Sequence, residues 1–83
     1  MDEQAVFDAL QYGTRRYYNK AGHLHRTNGP AVEWADGDKF WYQNDQLHRT
    51  DGPAVVGSNG HKAWYINGVR LTEAEFNQAV KLL

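Results

Sequence analysis

The chain repeats itself. His25-Arg26-Thr27-Asn28-Gly29-Pro30-Ala31-Val32 returns as His48-Arg49-Thr50-Asp51-Gly52-Pro53-Ala54-Val55, and Trp41-Tyr42 returns as Trp64-Tyr65, each time 23 residues later. A fixed period of roughly 20 to 50 residues marks architectures made of stacked units, each burying apolar surface only against its neighbours. A residue that recurs at the period is first of all a structural residue. His25, Arg26, Asn28, Gly29 and Pro30, with their counterparts His48, Arg49, Asp51, Gly52 and Pro53, are therefore read as parts of a scaffold.

Size sharpens this reading. With 83 residues the chain is expected to form a single domain over 1–83. A domain of this size buries only a little over 60% of its unfolded surface, so its core is thin. There is no cysteine to add a disulfide or a thiolate metal site. Aromatic side chains, 13% of the residues, must supply what the aliphatic core lacks. Association with a second copy is the other common remedy, and a homodimer is an expected option.

Three segments, 15–19, 38–43 and 60–66, are rich in aromatic and β-branched residues and read as strands. Each is followed by a turn signal: Lys20-Ala21-Gly22, Asn44-Asp45 and Asn67-Gly68. Shorter strand-like stretches at 31–34 and 54–56 follow Asn-Gly-Pro and Asp-Gly-Pro, where proline, lacking an N–H, sets the strand's start. Asp36-Gly37 and Asn59-Gly60 close a second hairpin in each unit. Flanking these strands, residues 2–12 are expected to form a short helix, with Asp2 and Glu3 at its positive end and Val6, Phe7, Ala9 and Leu10 as its apolar stripe. A second helix is expected over 72–82. Thr72 and Glu75 form a capping box there, Leu71 and Phe76 a hydrophobic staple, and Phe76, Val80 and Leu83 one face. The expected fold class is α+β: an antiparallel β-meander of two and a half 23-residue hairpin repeats over 14–71, with an N-terminal and a C-terminal helix.

Side chains alternate between the faces of a strand. Two aromatic ladders follow, Tyr17–Trp41–Trp64 on one face and Tyr18–Tyr42–Tyr65 on the other, with Ala31 and Ala54 filling the gaps between rungs. Exposed aromatic surface beyond a few hundred Å² marks an interaction site. The expected partner-binding residues are the first ladder and its flanking cations: Arg15, Tyr17, Lys39, Trp41, Lys62 and Trp64.

Other chemistries find less support. There is no nucleophile elbow, phosphate loop or metalloprotease helix, so no enzyme, catalytic residue or cofactor is expected. His23, His25 and His48 lack the spacing of a structural zinc motif, and no metal site is expected. The run Arg15-Arg16-Tyr17-Tyr18-Asn19-Lys20 combines cations with aromatics, as single-strand nucleic-acid binders do, but the formal net charge of −1 opposes that use. No apolar run approaches the roughly 18 residues of a spanning helix, and Met1 is followed by acidic Asp2 and Glu3 rather than a basic leader, so a cytoplasmic protein without membrane contact is expected.

The string from Trp41 to Ala54, WYQNDQLHRTDGPA, resembles a repeat of the form WYxNGxLHRxDGPA found in small proteins of bacteriophages and large viruses. That repeat is similar to the MORN repeat, whose β-hairpin units stack into one long sheet. The resemblance spans about residues 17–76. This chain departs from it at Tyr17-Tyr18, which replaces Trp-Tyr, and at Asn44-Asp45, which replaces Asn-Gly. The resemblance implies a hairpin array of phage or prophage origin and no enzymatic activity. The function expected from it is a non-enzymatic protein-interaction module that binds a host protein, inhibiting it (as in a defence system) or redirecting it. A single-stranded nucleic-acid binder and a virion or assembly component are the alternatives.

Overall fold

The computed structural model describes residues 4–8 and 13–83, with side-chain environments for 13–83. The protein is dominated by antiparallel β-sheet with one C-terminal helix among these residues. Nine strands precede it: β1 (Gln4–Asp8), β2 (Thr14–Tyr18), β3 (Val32–Glu33), β4 (Lys39–Phe40), β5 (Tyr42–Gln43), β6 (Gln46–Leu47), β7 (Val55–Val56), β8 (Lys62–Ile66) and β9 (Val69–Leu71), followed by α1 (Glu73–Val80). Seven strands form one sheet in the order β1-β2-β3-β4-β7-β8-β9, and β5 and β6 pair separately.

Gln4–Asp8 is a strand, where a helix was expected over 2–12; the rest of that span lies outside the described residues. The physical reason is tertiary. A helix of about three turns is marginal on its own, whereas β1 gains five consecutive cross-strand pairs with β2, from Gln4↔Tyr18 to Asp8↔Thr14. At the other end Thr72 caps α1 with a complete capping box: the Glu75 N–H donates to Thr72 Oγ1 at 3.1 Å, and the Thr72 N–H donates to Glu75 Oε1 at 2.8 Å. Phe76 is buried. The expected stripe stops short of Leu83, which is exposed beyond the end of α1.

The backbone connections echo one another at the sequence period. The Tyr17 N–H donates to Ala31 O and the Trp41 N–H to Ala54 O, both at 2.8 Å. The carbonyls of Tyr17 and Trp41 accept from the N–H groups of His25 and His48. Trp41 thus bonds one neighbour through its N–H and another through its C=O, which is where β4 gives way to β5. Both turn residues of the β5–β6 hairpin, Asn44 and Asp45, have positive φ, as have Asn67 and Gly68 of the β8–β9 hairpin, the geometry that a two-residue turn of the favoured hand requires. Asp45 lacks glycine's freedom at that position. Its contacts compensate: its N–H donates to Leu24 O at 2.9 Å and its carboxylate accepts from the Leu24 N–H at 2.6 Å.

The core is small. Among the described residues Ala31, Val32, Ala54, Ala63 and Phe76 are its buried apolar members, and Thr14 is buried too. Tyr17, Trp41 and Trp64 are all half-buried, as are Tyr18, Tyr42 and Tyr65. A molecular thickness of 17 Å leaves room for little more than one sheet and what lies on it.

Candidate functional site

The cross-strand register assembles a row of charged positions. Arg15 pairs with Glu33, Glu33 with Lys39, Lys39 with Val56 and Val56 with Lys62. Directly opposed residues share a face. Arg15, Lys39 and Lys62 therefore project from one side of the sheet, and all three are exposed. Two residues further along stand Tyr17 in β2 and Trp64 in β8, on that same face by strand alternation, and Trp41 just past the end of β4. Five of the six residues singled out from the sequence are thus brought to one face, and Trp41, at the junction of β4 and β5, makes with Ala54 and Arg49 the contacts that Tyr17 makes with Ala31 and Arg26. The basic run at 15–20 is not: alternation sends Arg16 to the opposite side, where its guanidinium carbon lies 5.6 Å from the centre of the Trp34 ring.

The aromatic rungs are not bare. The Arg26 guanidinium lies 3.9 Å from the centre of the Tyr17 ring, and that of Arg49 lies 3.9 Å from the centre of Trp41. Each arginine is held from several sides. Nη1 of Arg26 donates to Pro30 O at 3.1 Å and to Glu33 Oε1 at 3.0 Å. Nη1 of Arg49 donates to Pro53 O at 3.0 Å, and its Nε donates to Asp51 Oδ1 at 2.7 Å. Gly29 and Gly52 close the far side, where an added Cβ would stand only 2.9 Å from the guanidinium carbon. The glycine of the Gly-Pro pair is thus constrained by close approach of a side chain, not by a positive φ, a role that the sequence does not disclose.

The histidines of the repeated pairs tie successive segments together. His25 Nδ1 accepts from the Asn44 N–H at 3.2 Å, and His48 Nδ1 accepts from the Asn67 N–H at 2.9 Å. Both nitrogens are committed to the backbone of the following turn. Among the described residues no group of three histidine, cysteine, aspartate or glutamate side chains is placed to hold a metal ion.

Between the two His-Arg-Thr loops lies an open polar cleft of about 350 Å³, with Trp41 and Gln43 in its lining together with Arg26, Asn28, Arg49 and Asp51. A cleft of about 360 Å³ occupies the corresponding place at Trp64. There, Leu71 and Thr72 stand where the period would place a third His-Arg pair, and Thr72, Glu73 and Glu75 at the start of α1 line the cleft instead. On the opposite face a shallower apolar hollow of about 250 Å³ is formed by Leu24, Val32, Trp34, Phe40 and Tyr42 with Arg16 at its side.

The cationic row is exposed, while Glu33, the carboxylate within it, is engaged by Arg26. No helix among the described residues is long and apolar enough to cross a membrane. No protein-family model, curated protein or solved structure matches the chain.

Proposed function

We propose that this chain is a non-enzymatic protein-interaction module built as two and a half 23-residue hairpin units, with α1 closing the C-terminal end. On this reading it is a phage or prophage product that acts in the cytoplasm of the host, binding a host protein and inhibiting or redirecting it. Its binding surface is the face of Arg15, Lys39 and Lys62 with the arginine-covered rungs Tyr17 and Trp41 and with Trp64.

One observation carries the choice of surface. Exposed cations from three separate strands line up on one face of a protein whose formal net charge is −1. Such segregation steers association with an acidic partner and sets its orientation. A homodimer through this face is disfavoured by the same charges, since two copies would set lysines against lysines. Single-stranded nucleic acid is the less supported ligand. Its bases need open rings to stack on, and the Tyr17 and Trp41 rings each carry an arginine.

The test is affinity capture from bacterial extract with the wild-type chain and a Lys39→Glu/Lys62→Glu variant. Both lysines are exposed, so the variant should retain its circular dichroism spectrum and melting curve. A host protein held by the wild type and released by the variant supports the reading. Capture unchanged by the double substitution, or nuclease-sensitive capture, overturns it.

A further inference from the structure

The binding face has a definite pitch. Lys39 and Lys62 are separated by two strand steps, through Val56 of β7. Arg15 and Lys39 are also separated by two steps, through Glu33 of β3. At about 4.8 Å per strand, successive cations recur every 9.5 Å or so along a line perpendicular to the strands. Trp64 stands two residues on in β8, and Trp41 just past the end of β4. Among the described residues the Lys39 and Lys62 side chains have no ion-pair or hydrogen-bond partner, and Glu33, the acidic member of the row, is held by Arg26 at 3.0 Å.

Few backbone conformations present like side chains at that interval. An extended β-segment repeats its facing side chains every second residue, at roughly 6.6 Å, and throws every third one to the other side. An α-helix reaches the interval only at a seven-residue spacing, where its rise of about 10.5 Å overshoots. A polyproline II helix has three residues per turn and about 3.1 Å of rise per residue, so positions i and i+3 face the same way about 9.3 Å apart. Proline-rich segments of this kind dock on aromatic-lined surfaces, and their preformed backbone loses little entropy on binding.

We propose that this face binds a proline-rich segment in the polyproline II conformation, with an acidic side chain at every third position, lying across the strands. Its carboxylates meet Lys39, Lys62 and, one step further, Arg15, while a proline packs on Trp64, which lines the cleft at the start of α1. This inference rests on the surface proposed above and adds the chemistry and geometry of what that surface reads.

The test uses the full chain and two blocked peptides of equal composition, Glu-Pro-Pro repeated four times and a permuted peptide with its four glutamates contiguous, with binding measured by calorimetry. The periodic peptide is expected to bind at least about ten-fold more tightly than the permuted one. That preference should vanish in Lys39→Glu/Lys62→Glu and shrink as salt rises. Equal binding of both peptides, no binding of either, or tighter binding of a single-stranded oligonucleotide through the same lysines overturns the inference. If the peptides show no preference while lysine-dependent capture of a host protein persists, the periodic ligand is wrong and the interaction surface stands.

Discussion

The repeated arginine is the residue on which the loops are built. Arg49 is clamped between the Trp41 ring and Gly52, with its donors spent on Pro53 O and Asp51. The Asp51 side chain is 84% exposed, so that ion pair is screened and adds little. The stack on Trp41 and the bond to a backbone carbonyl dominate, together giving about 1–3 kcal/mol. Gly52→Ala should cost a similar 1–3 kcal/mol or so, because its Cβ would displace the guanidinium from the ring. In an Arg49→Ala background the same change should be close to neutral. Urea denaturation of the two single variants and the double variant checks this: a coupling of about 1–2 kcal/mol is expected, and additive effects would refute the clamp. The repetition of His-Arg-Thr-x-Gly-Pro is plain in the sequence and marks these positions as scaffold. What each position does is not, since the approach of Arg49 to Gly52 depends on how the loop folds back over Trp41, the aromatic residue before it.

At the scale of elements the two ends of the chain behaved differently. Thr72 and Glu75 form a local device whose partners are three residues apart, so α1 was readable from sequence, and its capping box is complete. The expected N-terminal helix had only an apolar stripe and a pair of acids to support it. The edge of β2 offers the backbone of Gln4–Asp8 a full set of partners instead, which local propensity does not anticipate. Short strands such as β3 and β7, two residues each, have no independent stability; they exist because a neighbour lies on both sides. Thr72→Ala removes the cap's acceptor and is expected to cost about 1 kcal/mol. Since α1 lies on β8 and β9, amide exchange should rise first in those strands and leave β2 and β3 unchanged. A uniform loss of protection would show that α1 is not a separable end closure.

The whole molecule is a thin slab whose connections recur at a constant offset. Units that touch only their neighbours contribute to stability as an intrinsic term plus an interface term. If the proposed array is right, a second copy of residues 41–63 inserted after Ala63 keeps the period and supplies both sets of inter-unit bonds. That longer chain should fold with the same β-rich circular dichroism spectrum, unfold at higher urea, and show a steeper denaturant dependence because more surface is exposed on unfolding. A chain that loses its cooperative transition would refute the modular reading. The same regularity underlies the proposed binding face: spacing two units by two strands repeats a lysine at one pitch, whatever the loops contain.

The sequence by itself determined the period, the β-rich character of the middle of the chain, the positions of its turns and the capped C-terminal helix, because each is written in residues close together along the chain. The tertiary structure alone decided that residues 4–8 join the sheet, that Arg26 and Arg49 cover the aromatic rungs, and that Lys39 and Lys62 stand in one row. These depend on which strand lies beside which. Pairing across a sheet is set by the summed backbone bonds and contacts of distant segments, a quantity that no short stretch of residues carries.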